Sequence, residues 1–115
     1  MAKSDHSPTL ESIKEKLGEF RDQRDWSQFH NPKDLALAIS IEANELLELF
    51  LWKESKDVDK ERVKEELADV LSYCLYLAMK FDLDIFEIVD QKIDLNAKKY
   101  PVAKAKGSAK KYNEL

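Results

Sequence analysis

Two pairs of acids stand out: Glu42 with Glu45, and Glu66 with Asp69, each pair three residues apart. On an α-helix that spacing puts both members of a pair on one side. The first pair lies in "IEANELLELF", residues 41–50, where Glu48 continues the stripe among Leu46, Leu47, Leu49 and Phe50. The second lies in "EELADV", residues 65–70. If the two helices pack antiparallel, four carboxylates share one polar pocket. Burial and mutual repulsion then oppose their ionisation unless a cation sits among them. Oxygen-only ligands suit a hard divalent ion, Mg²⁺ with Mn²⁺ as a substitute, rather than zinc or copper. Mg²⁺ in turn prefers to share its shell with substrate phosphates and water.

A single E-x-x-E is more often solvated or paired with Lys and Arg. Two such pairs, each set into apolar sequence, favour the metal. A di-iron carboxylate bundle would need Glu-x-x-His pairs, and neither His6 nor His30, the only histidines, follows a glutamate by three residues.

With a metal in place, phosphates are the natural ligand, and there is no glycine-rich loop to cradle them. Lys92, Asn96 and Tyr100 recur every four residues and put a cation, an amide and a phenol on one helix face. Alone they read as surface polarity; beside the acids they offer phosphate, sugar or base contacts. Trp26 and Phe29 in "DWSQFH", and Trp52 after "LFL", can stack a nucleobase or cap the helices, and the two readings stand level. Tyr73 falls four residues beyond Asp69, on the ligand side. His30 offers a hydrogen bond, although a lone loop histidine is more often structural, and Cys74 reads as core.

The elements that must position these groups are helices, since the apolar period is helical almost throughout and the only glycines are Gly18 and Gly107. Ser7-Pro8 reads as cap and first turn of a helix with Leu10, Ile13, Leu17 and Phe20 on one face, ending near Arg24. Asn31-Pro32 opens a second, expected to reach about Glu54. A third spans about Asp59 to Phe81, buried by Val63, Leu67, Val70, Leu71, Cys74 and Leu75. Asp84 and Glu87 form a capping box for a fourth that stops before Pro101. The expectation is an all-α four-helix bundle forming one domain over 1–115. Its helical core covers about 8–100, and a lysine-rich tail over 101–115 has little to fold around. Leu67 to Phe81 is apolar nearly all round, which places it centrally and at a subunit interface, so a homo-oligomer is expected.

Composition narrows the class. Hydrophobic residues make up 43 % and charged residues 37 %, a globular balance, and the formal net charge is −4 with both signs interspersed. That argues against gripping a nucleic-acid polymer by bulk electrostatics. Cys74 is the only cysteine, so no internal disulfide forms, which suits a reducing compartment. Met1 to Pro8 is polar, and Val70 to Phe81 is too short and interrupted to span a bilayer. A soluble cytoplasmic protein is expected.

These residues together resemble the MazG-type all-α nucleoside triphosphate pyrophosphohydrolases, nearest to their dCTP pyrophosphatase branch. The family's E-x-x-E followed by E-x-x-D reads here as Glu42, Glu45, Glu66 and Asp69. "RDWSQFH", "ELLELFLW", "EELADVLSYCLYLA", "KIDLNAKKYP" and "KKYNEL" extend the likeness over nearly all the chain after residue 10. The resemblance implies Mg²⁺-dependent hydrolysis of a (deoxy)nucleoside triphosphate, dCTP or modified dCTP, to the monophosphate and pyrophosphate. It implies that the four acids hold the metal and that Glu45 also takes the water's proton. Trp26, His30, Trp52, Tyr73, Lys92, Asn96 and Tyr100 would surround the nucleotide, in a homotetramer. Where relatives carry a histidine on the first helix this chain has Leu17, which bears on base or sugar preference and leaves the metal chemistry alone. The competing class, a non-enzymatic helical homo-oligomeric interaction module, explains the apolar third helix but gives no reason to cluster the acids.

Overall fold

A computed structural model describes residues 7–115, and within them the chain is all-α, with five helices and no strands. They are α1 (Leu10–Gln23), α2 (Pro32–Glu48), α3 (Lys60–Lys80), α4 (Ile85–Lys99) and the short α5 (Val102–Ala105). Contacts group the chain into two compact units, the first ending at Asp82 and the second running Leu83–Leu115. Among the described residues no helix is long and apolar enough to cross a membrane.

In the first unit α1 begins later than the Ser7-Pro8 expectation. Thr9 is the cap, because Thr9 and Ser12 satisfy each other's backbone N–H groups through their hydroxyls, at 2.8 and 3.0 Å. The helix ends as Asp25 takes a left-handed φ of +55°, and the Trp26 N–H donates back to the Arg21 carbonyl at 3.0 Å. One 3-10 turn, Ser27–Phe29, leads to the Asn31 cap, whose side chain accepts from the Asp34 N–H, with Pro32 at the first helical position.

Helix α2 stops six residues short of the expected Glu54. Past Glu48 the backbone winds into i→i+3 bonds, Leu49 to Leu46, Phe50 to Leu47 and Leu51 to Glu48, and Trp52 reaches φ +63°, which no α-helix admits. Asp59 then caps α3 by accepting from the Glu61 N–H at 3.0 Å. The main interface is α2 against α3, with α1 also resting on α3. His30 lies by Tyr76, Glu45 by Glu66, and Lys53 shares an opening with Arg62, so α2 and α3 run antiparallel.

The core is thin: Leu35, Leu49, Tyr76 and Ala78 are buried, together with His30. Val63, Val70, Cys74 and Leu75 are half-buried as the pattern suggests. Leu67 and Leu71 are not buried within this chain, being 45 % and 54 % exposed. A sequence pattern marks a face as apolar and says nothing about which chain covers it.

In the second unit Asp84 caps α4 by accepting from the Phe86 and Glu87 N–H groups at 2.9 and 3.1 Å. The tail is more ordered than expected. After Pro101 it forms α5, turns at Gly107 with φ +77°, and packs Tyr112 edge-on against Tyr100 at 6.2 Å, with the Lys99 ammonium 5.0 Å from the Tyr112 ring.

Candidate active site

Helices α2 and α3 bring carboxylate oxygens of Glu42, Glu45 and Glu66 within 4.8 Å of one another. Oxygens of Glu42 and Glu66 are buried there without a hydrogen-bond partner. The electrostatic consequence is large. Burial, then the neighbouring Glu45 carboxyl, then the charges of Asp69 and Glu66 push the Glu42 carboxyl up to about 7. Glu66 is raised as well, by burial first and then by Glu45 and Asp69, with the Arg62 charge opposing. Asp69 lies outside the tight trio yet acts electrostatically on Glu42, Glu66 and Tyr73. Buried, unsatisfied carboxylate oxygens that repel one another fit a hard divalent cation.

Next to the acids a cavity of about 420 Å³ opens. Glu42 and Asp69 form its polar wall, and Trp26, His30, Tyr73 and Tyr76 its aromatic one. Each aromatic is placed by identifiable contacts. Tyr76 donates its hydroxyl to the Leu17 carbonyl at 2.7 Å, tying α3 to α1. Trp26 meets Phe20 edge to face at 5.7 Å, and the Arg24 guanidinium lies 3.8 Å from that Phe20 ring. The His30 imidazole, 7 % exposed, stands edge-on to Tyr76 at 4.7 Å and to Tyr73 at 6.3 Å. Its Nδ1 has no partner. Burial, assisted by the charges of Arg21 and Lys80, holds its pKa below the ordinary 6.5, so the ring is neutral at pH 7 and one nitrogen is free to accept. His30 also lines a neighbouring cavity of about 300 Å³ with Trp26, Phe29 and Tyr73.

Of the residues singled out in the sequence, the first unit thus gathers Glu42, Glu45, Glu66, Asp69, Trp26, His30 and Tyr73. Trp52 stands apart, 93 % exposed at the end of its strained turn and absent from the lining of the aromatic cavity. Lys92 and Asn96 are exposed on α4, and Tyr100 follows that helix, half-buried. Sequence reasoning missed Phe20, Ser72 and Tyr76 as cavity wall. Tyr76 carried a signal, because it falls seven residues after Asp69 and three after Tyr73 on the same face.

The model of the MazG-like family matches residues 37–115, which includes all four acids. The chain belongs to the MazG-like family. Among relatives, dCTP pyrophosphatase 1 of Mus musculus is 44 % identical over 94 % of this chain and 68 % of its own length. The Homo sapiens dCTP pyrophosphatase 1 is 40 % identical over the same shares. A crystal structure of a pyrophosphatase from Archaeoglobus fulgidus superposes with a TM-score of 0.76 at 43 % identity, covering 84 % of this chain and 95 % of that one. The MazG-like kinship expected from the acid motif therefore holds.

Proposed function

We propose that this chain hydrolyses deoxycytidine triphosphate, 5-modified forms included, to the monophosphate and pyrophosphate, with Mg²⁺ held by Glu42, Glu45, Glu66 and Asp69. The observation that carries the reading is the contiguity of the acid trio with an aromatic cavity. The kinship with dCTP pyrophosphatases supports it. Bound Mg²⁺, or Mn²⁺ in its stead, supplies neutralisation of the triphosphate and a lowered pKa for the attacking water.

The protein's own groups do the rest. Glu42 and Glu66 present their unpartnered oxygens inward, while Glu45, exposed at the edge of the trio, takes the water's proton. Water attacks the α-phosphorus and the bridging bond to the β-phosphate breaks. Trp26 stacks the base, which fixes the ring plane without choosing among bases. His30, neutral and unpartnered, accepts from an N–H on the base edge. Tyr73 closes the wall beside Asp69. The chain acts as one cytoplasmic, all-α domain that assembles as a homotetramer. The exposed apolar residues of α3 give the motive for assembly.

The test is kcat/KM with Mg²⁺ for dCTP, dUTP, dTTP, dATP and dGTP, read as pyrophosphate release. dCTP should lead the series. A purine preference would overturn the base assignment, and absence of pyrophosphate from every nucleotide would overturn the activity.

A further inference from the structure

The acid trio has openings of opposite character on its two sides. Glu42 and Asp69 face the aromatic cavity, whereas Glu45 and Glu66 line a second cavity of about 320 Å³ together with Glu48, Leu49, Lys53 and Arg62. Lys53 and Arg62 are both exposed there. Although three carboxylates line the same cavity, neither cation forms an ion pair among the described residues. Their placement follows from the backbone. Arg62 stands four residues before Glu66 on α3, one helical turn away. Lys53 arrives through the turn that ends α2, where Trp52 takes its left-handed φ and the Lys53 N–H donates to the Phe50 carbonyl at 3.1 Å.

A nucleoside triphosphate has the same order of character: a flat ring, a phosphorus to be attacked, then the anionic β- and γ-phosphates. We infer that the second cavity is the pyrophosphate subsite, in which Lys53 and Arg62 hold the β- and γ-phosphates and receive the leaving group. The inference rests on the hydrolytic reading above and names where its product is bound. As the water oxygen bonds to the α-phosphorus, the bond from that phosphorus to the bridging oxygen breaks. Its electron pair stays on pyrophosphate, where two unpaired cations await the new charge. The three carboxylates outnumber the two cations. Free pyrophosphate is therefore repelled, and the species the cavity accepts is its Mg²⁺ complex.

The experiment is calorimetric titration of the full-length protein with pyrophosphate, with and without Mg²⁺, beside titration with dCMP. The proteins compared are the wild type, Lys53→Gln, Arg62→Gln and Arg62→Lys. Each glutamine variant should bind Mg²⁺–pyrophosphate about tenfold more weakly, the loss of one charge-assisted contact. Arg62→Lys should recover part of that loss, and dCMP affinity should stay within about twofold because its contacts lie on the other side of the acids. Both side chains are exposed, so thermal midpoints should hold. Unchanged pyrophosphate affinity in both glutamine variants, or an equal loss for dCMP, overturns the subsite. If the wild type releases pyrophosphate from dCTP while the variants bind it as before, the subsite alone falls. If the wild type releases none from any nucleotide, the hydrolytic reading falls and the subsite with it.

Discussion

Replacing Glu42 with glutamine should make the metal-free protein more stable at pH 8 and scarcely more stable toward pH 5. In the folded chain the Glu42 carboxyl is pushed up to about 7, first by burial and then by its acidic neighbours, against an ordinary value of 4.5. The fold therefore holds that proton more tightly than the unfolded chain does. Stability is highest below 4.5, falls as pH rises through the interval up to about 7, and is flat above it, when both states are ionised. At about 1.4 kcal/mol for each factor of ten, the interval sets a ceiling of about 3 kcal/mol. Glu42 keeps contact with solvent, which screens the repulsion, so about 1 kcal/mol is the working figure. Glutamine keeps the shape and removes the charge, and for a chain of this length the gain corresponds to about 4 °C in Tm. Thermal melts with a chelator at pH 8 and pH 5 measure it. Adding Mg²⁺ should stabilise the wild type more than the variant, because only the wild type keeps the full ligand set. An equal gain at both pH values, or no gain at pH 8, would refute the claim that the acids repel one another in the empty site.

Glu45→Gln and Asp69→Asn should each abolish turnover while circular dichroism still reports a folded helical protein. Near wild-type rates at saturating Mg²⁺ would mean that the metal is held elsewhere. Light scattering at micromolar concentration should return an oligomer, since Leu67, Leu71 and Phe81 on and just beyond α3 are about half exposed in the single chain. A monomer would contradict the assembly.

The sequence carried the acid site well because its information is local. A spacing of three on a helix fixes which side chains share a face, so Glu42 and Glu45 fall together; Glu66 joins them only because α2 and α3 pack antiparallel, and Asp69 stays outside the tight trio. It carried helix starts where a cap is explicit, at Asn31, Asp59 and Asp84. The end of α2 was not legible. "LFLW" is as apolar as the helix before it, and the left-handed φ at Trp52 involves no glycine that would announce it. Because that turn was invisible, so was the return of Lys53 to the edge of the acids. Arg62 could have been noticed, standing four residues before Glu66. The aromatic cavity was half legible: Trp26, His30 and Tyr73 were evident as types, but their convergence depends on the Asp25 turn and on the long-range bond from Tyr76 to Leu17. The order of the tail was not legible, because the Tyr100 ring that receives Tyr112 lies twelve residues away from it in the chain.

In the proposed reaction the carboxylates of α2 and α3 direct cleavage between the α- and β-phosphates, and ³¹P NMR of dCTP with Mg²⁺ and this protein shows which bond breaks. The predicted spectrum shows dCMP and pyrophosphate growing together at equal rates, with no dCDP and no orthophosphate, and shows neither product when Asp69→Asn replaces the wild type. Growth of dCDP with orthophosphate, or products undiminished in Asp69→Asn, would contradict it.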